Sequence, residues 1–317
     1  MYDITAIGEI LVDFHCELNN NINMKGSLGG ATCNVAIQGR LLDKKTCFIG
    51  SVGNDVMGDF LCKRLKDIDV EHYIQKSNTI TTMAIVTLDE NNDRSFDFVR
   101  DPGADSMIKM DQRMKDIVNN SRILMYGSLS FSKEPAASTI FELLENTDCI
   151  KAYDPNLRPS IWKDNEKMLS MAAKGLKYAD ILKIGDDELL EILGHLNVDV
   201  ACADREMTID HAAQYVLDNY HAQYIFVTMG SKGCRYYTKE YAGHEPSYKI
   251  TPLDTTGAGD SFFGAILSQY IDNQFNDIAY SVRYACASGA ITASKKGTAE
   301  AMPCDNDILK MISEGIR

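Results

Sequence analysis

Short apolar runs at residues 4–12, 46–51, 123–126, 150–153, 181–184 and 224–228 alternate with stretches such as 134–145 and 209–219, whose apolar residues recur at helical spacing. Runs without polar alternation suit strands covered on both faces, and strands alternating with helices suit a parallel sheet. The pattern therefore predicts an α/β fold: a doubly wound, mostly parallel sheet flanked by helices. One region departs from it. Residues 80–88 and 94–100 are strand-like runs rich in Thr, Ile, Val and Phe, and Glu90-Asn91-Asn92-Asp93 between them reads as a hairpin turn. Such a hairpin in an α/β chain is either an ordinary edge hairpin or a lid. No internal repeat, low-complexity tract or Pro/Gly/Ser linker interrupts the chain. Residues 1–317 are thus expected to form one domain, with a small β lid built from insertions at about 14–30 and 79–104.

Composition narrows the class without changing the fold. The chain is 45% hydrophobic and 24% charged, as an ordinary globular protein is. A net charge of −13 argues against an electrostatic nucleic-acid binder. It leaves nucleotide binding open, because backbone N–H groups at a helix N-terminus, aided by Mg²⁺, hold phosphate with few basic side chains. The nine cysteines show no CxxC or Cys/His cluster, so neither a disulfide framework nor a zinc site is indicated, and reduced thiols in a cytoplasm fit. The opening MYDITAIGEILVDF lacks a basic n-region and reads as a first buried strand. Nowhere do about 18 apolar residues run together, so no membrane span is expected.

The segment richest in chemistry is DTTGAGDSFFGAIL, residues 254–267. Gly257, Ala258 and Gly259 can bring bare backbone N–H groups to the positive end of the helix that follows, a cradle for the charge on a transferring phosphoryl group. Asp260 then falls in the first helical turn. There it can accept the proton of an attacking alcohol, or it can simply cap the helix.

This segment resembles the C-terminal signature DTxGAGD of the PfkB (ribokinase-like) carbohydrate kinases, and GGATCNVA (29–36) resembles their N-terminal Gly-Gly-…-Asn-x-Ala. GSVGNDVMGDFL (50–61) extends the likeness toward the full length. The resemblance implies a ribokinase-like fold and ATP-dependent phosphorylation of a sugar. Asp260 would be the general base, with the backbone of Gly257, Ala258 and Gly259 as anion hole. It places Asp13, Gly29, Gly30 and Asn34 on the sugar hydroxyls. VTMGSKG (227–233) resembles the family's nucleotide loop, which implies Thr228, Gly230 and Gly233, with Gly185, on the ATP side.

The family's Asn-x-x-Glu, which organises Mg²⁺, corresponds here to Gly185-Asp186-Asp187-Glu188, with Gly in place of Asn. Glu188 can still act on Mg²⁺ through water. The resemblance also implies a K⁺ site formed by Asp254, Thr256, Ala293 and Gly297.

RSFDFVRDPGAD (94–105) and YDPNLRPSIW (153–162) are similar to patterns of the bacterial fructokinases, which implies D-fructose as substrate and places Arg100, Asn156 and Arg158 beside it. A 2-keto-3-deoxygluconate kinase is the first alternative, since that subgroup shares D-x-N-x-R with the arginine on a substrate carboxylate. A ribokinase is the next. A non-catalytic sugar sensor on the same fold would lose Asp260 or the GAG backbone, and both are present. A dinucleotide-dependent oxidoreductase would need G-x-G-x-x-G after the first strand, where LVDFHCELNN stands instead. The lid hairpin would permit a homodimer, as in many relatives.

Overall fold

In the computed structural model, residues 1–18, 22–88 and 94–315 are described. The Glu90–Asp93 turn expected from the sequence lies outside them. Among the described residues the strands are β1 (Tyr2–Ile7), β2 (Leu11–Leu18), β3 (Ile22–Gly29), β4 (Thr46–Gly53), β5 (Glu71–Ser77), β6 (Met83–Leu88), β7 (Arg94–Val99), β8 (Ser121–Gly127), β9 (Ile150–Asp154), β10 (Ile181–Gly185), β11 (Tyr224–Thr228), β12 (Cys234–Tyr237) and β13 (Ala242–Glu245). Nine of them form one sheet in the order β13-β12-β11-β10-β9-β8-β1-β4-β5. All its pairings from β11 to β5 are parallel, and β12 and β13 add antiparallel strands at one edge.

Period-two alternation divides the apolar side chains of the central strands between two cores. Ile123 and Met125 pack with helices Ala31–Leu41, Ala258–Asn273 and Ile278–Ala293 on one face. Leu124 and Tyr126 pack with helices Ala136–Glu145, Asn165–Leu176 and Arg205–Asn219 on the other. This is the two-faced covering that unalternating apolar runs require.

The run at 4–12 is not the single strand its apolar pattern suggests. It ends β1 at Ile7, turns at Gly8, and begins β2 at Leu11 in a different sheet. Gly8 has φ 150°, and a Cβ there would lie 2.7 Å from the Thr32 hydroxyl oxygen, so the break needs glycine. The second sheet, β3-β2-β6-β7, joins this segment to the hairpin expected from the sequence: β2 pairs antiparallel with β3 and parallel with β6, which pairs antiparallel with β7. Its base is pinned by a buried ion pair. Arg100, just after β7, meets Asp105 at 2.8 Å and donates to Ser132 Oγ at 2.9 Å. Thr82, just before β6, donates to the same Asp105.

The chain places β4 and β5 on one side of β1, then crosses to build β8, β9, β10 and β11 on the other. The crevice at the carboxyl ends of β1 and β8 is therefore the topological switch point, where open α/β sheets bind ligands.

Candidate active site

A cavity of about 480 Å³ opens at that switch point. Its floor comes from the loops after β1, β8 and β9, from Lys183 on β10 and from the start of helix Ala258–Asn273; Leu11, Asp13, Ala84 and Phe98 of the smaller sheet form the opposing wall.

Asp260 is buried at the floor, in the first turn of its helix. The N-cap is Gly257, at φ 78°, and among the described residues no side chain caps this helix, so the capping role open to Asp260 from the sequence is not the one it takes. Instead Asn34 Nδ2 donates to Asp260 Oδ2 at 2.8 Å. Burial pushes the Asp260 carboxyl above the ordinary carboxylate range, opposed by the Asn34 hydrogen bond and by the charges of Lys183 and Arg158. Gly257 and Gly259 line the cavity beside it, with Thr255 and Thr256.

The two helices that carry this pair are locked together. Ser261 Oγ donates to Gln38 Oε1 at 2.9 Å, Thr292 Oγ1 donates to Ser261 Oγ at 2.8 Å, and Gln38 Nε2 donates to the Pro303 carbonyl at 3.0 Å. A fully satisfied buried network of this kind fixes relative position.

Of the residues expected on the sugar side, Asp13, Gly30, Asn34, Asn156 and Arg158 line the cavity. Gly29 ends β3 so close to Asp13 that a Cβ there would lie 2.1 Å from its Oδ2. Burial and the Asp260 charge push Asp13 up to about 7, against the pull of Arg158. Arg100 lies away from the cavity lining, in its ion pair with Asp105.

The residues expected on the nucleotide side lie along the same carboxyl edge. Gly185 and Thr228 are register partners at the ends of β10 and β11, and Gly230 and Gly233 bound the turn that follows. Glu188 caps its own helix: Oε2 accepts the Gly185 N–H at 2.9 Å and Oε1 the Leu157 N–H at 2.6 Å. Around Asp254, Oδ1 accepts the Thr256 N–H at 2.9 Å and Oδ2 the Gly297 N–H at 3.3 Å. The Ala293 carbonyl accepts the N–H groups of Leu253 and Asp254, so the four residues of the expected K⁺ site adjoin one another.

Three cavity residues, Glu9, Asp154 and Lys183, carry no role assigned from the sequence. Glu9 Oε1 accepts the Ala31 N–H at 3.0 Å, at the head of the helix bearing Asn34, and burial pushes its carboxyl up to about 7. Lys183 Nζ donates to Asp154 Oδ2 at 2.9 Å, both side chains buried. The signal was one charged residue inside each apolar strand run, in AIGEIL, AYDP and ILKIG, and Asp154 is also the first residue of the D-x-N-x-R pattern.

The model of the pfkB family carbohydrate kinases matches residues 1–305. The chain is 32% identical to a probable fructokinase-2 of Arabidopsis thaliana, over 98% of this chain and 95% of that one. It is 32% identical to fructokinase-2 of Solanum lycopersicum, over 98% and 96%. The solved structure of a Xylella fastidiosa fructokinase with bound ATP superposes with TM-score 0.86 at 27% identity, covering 98% of each chain. A ribokinase of Thermotoga maritima, at 18% identity and TM-score 0.79, shares the fold. No helix among the described residues is long and apolar enough to cross a membrane. With the family signature at the switch-point cavity and the match running from residue 1 to 305, the chain belongs to the pfkB family of carbohydrate kinases and has the ribokinase-like fold.

Proposed function

We propose that the protein transfers the γ-phosphoryl group of ATP to the 6-hydroxyl of D-fructose, in the cytoplasm. The observation that carries this reading is the buried Asp260 carboxylate, held by Asn34 beside the glycine-rich head of helix Ala258–Asn273. A sugar hydroxyl in the cavity attacks the γ-phosphorus as Asp260 takes its proton, and the N–H groups after Gly257 face the developing charge. Because burial raises the Asp260 carboxyl, its base form is lost as pH falls through a value above the ordinary carboxylate range, and activity falls with it.

Asp13, Asn34, Asn156 and Arg158 are the groups that would hydrogen-bond the sugar, since a hydroxyl buried without a partner costs about 1–3 kcal/mol. Among the described residues no group of three His, Cys, Asp or Glu could hold a metal. That suits Mg²⁺ carried in on the nucleotide, with Glu188 acting through water, since Mg²⁺ retains most of its water shell. When bound, Mg²⁺ would neutralise phosphate charge. The Asp254, Thr256, Ala293 and Gly297 cluster offers carboxylate and carbonyl oxygen to a K⁺ ion. Ile22 and Met24, exposed on the outer strand of the smaller sheet, support a homodimer joined through that lid.

Arg158 in the cavity also favours a second reading, a 2-keto-3-deoxygluconate kinase, in which it would face a carboxylate. ADP release with ATP, Mg²⁺ and K⁺ against fructose, 2-keto-3-deoxygluconate, ribose and adenosine decides between them. Preference for fructose supports the first reading, preference for the keto-deoxy acid the second, and ATP turnover on none of the four overturns both.

A further inference from the structure

β10 reads Ile181-Leu182-Lys183-Ile184-Gly185 and lies between β9 and β11 inside the nine-stranded sheet, where apolar side chains are the rule. A buried ammonium there is costly unless something compensates it. Asp154 at 2.9 Å compensates in part, yet both residues line the cavity rather than the core. Among the described residues the buried Asp154 Oδ1 has no hydrogen-bond partner, so the pair is not closed on itself. On its other side, Lys183 Nζ would lie 3.1 Å from a Cβ placed on Gly259, which sets the ammonium against the first turn of the helix that bears Asp260.

The charges around the cavity make the point sharper. Four carboxylates line it, Glu9, Asp13, Asp154 and Asp260, and among the described lining residues only Lys183 and Arg158 are cationic. A nucleoside triphosphate entering so acidic a site needs positive charge where its terminal phosphoryl group meets the glycine-rich turn. Burial works to lower the Lys183 ammonium, but Asp154, Glu188 and Asp260 outweigh it and hold it protonated.

We propose that Lys183 is a catalytic residue whose ammonium contacts an equatorial oxygen of the transferring γ-phosphoryl group while Asp154 holds it from behind. This deepens the phosphoryl-transfer reading and rests on it. In the step, the bond from the sugar oxygen to γ-phosphorus forms and the bond from γ-phosphorus to the β,γ-bridging oxygen breaks. The hydroxyl proton passes to Asp260, and Lys183 stays protonated throughout, contributing charge alone.

The test compares kcat and KM for Asp154→Asn, Lys183→Met and the double variant, with thermal melts, on the sugar the wild type turns over. Lys183→Met alone strands a buried carboxylate and can lose stability for that reason. The double variant removes that objection, because no charge is left unpaired. The double variant is expected to melt near the wild type, yet to have kcat about 100-fold or more below Asp154→Asn, with the sugar KM within about threefold. If the double variant is as active as Asp154→Asn, whether both turn over or both are silent, Lys183 serves only its buried pair and the proposal fails. Asp260→Asn in the same assay separates the two ideas: retained activity there sinks the base reading itself, whatever Lys183 does.

Discussion

The floor of the cavity and the wall that faces it come from different sheets, and they are finished differently. Asp260, Asn34, Asp154 and Lys183 on the floor are all buried and form two hydrogen-bonded pairs, Asp154 with Lys183 on β9 and β10, and Asn34 with Asp260 on helices clamped together by Ser261, Gln38 and Thr292. The wall is a four-stranded sheet whose outer strand β3 exposes Ile22 and Met24, and whose Phe98 reaches the cavity only half-buried. It is tied to the body by Arg100, Asp105, Thr82 and Ser132 at its base. The difference suits a division of tasks: the groups proposed to act on the phosphoryl transfer stand on the large sheet and its helices, while the wall offers shape, exclusion of water and one polar group, Asp13.

Substitutions that respect this division separate the two sides by size of effect. The largest is expected from Gly257→Ala, at the head of the floor helix. Its φ of 78° disfavours any side chain, and a Cβ would lie 2.6 Å from Thr298 Cγ2. The displaced turn should lower kcat by about 100-fold or more while the sugar KM changes little, as steady-state kinetics will show.

Glu9→Gln probes the floor through stability. The folded protein keeps a proton on Glu9 up to about pH 7, where the unfolded chain releases it near its ordinary value of 4.5. Between those values folding takes up a proton, so this group's contribution is fully present below about 4.5 and is lost as pH rises through about 7. The loss amounts to roughly 3 kcal/mol at most. Glu9→Gln should flatten that slope in denaturant titrations at pH 5 and pH 8, and a slope unchanged from the wild type would contradict the assignment.

Phe98→Ala, on the wall, is expected to have the smallest effect. Losing one half-buried aromatic face should raise the sugar KM about tenfold, or about 1.4 kcal/mol, with kcat within about twofold. A fall in kcat comparable to that of Gly257→Ala would erase the distinction between wall and floor.

The sequence is most legible where chemistry requires consecutive residues. The Gly257-Ala258-Gly259-Asp260 turn brings four neighbours to one helix head, so a linear pattern records it, and the apolar runs record a sheet covered on both faces for the same local reason. Arg100 shows the limit. Its neighbours resemble a sugar-contacting motif, but its guanidinium lies with Asp105, Thr82 and Ser132, gathered from three parts of the chain. Lys183 and Asp154 are 29 residues apart in sequence and meet only because β9 and β10 are neighbours. The break at Gly8 escaped the apolar pattern because both strands it separates are buried.

The central claim is that Asp260 takes the proton of the attacking hydroxyl. Asp260→Asn keeps the volume and can still bond Asn34, but it cannot accept that proton, so single-turnover ADP formation with fructose isolates the role. A rate about 1,000-fold below the wild type, with sugar binding retained by calorimetry, is the predicted result. A rate within about tenfold of the wild type would contradict the account.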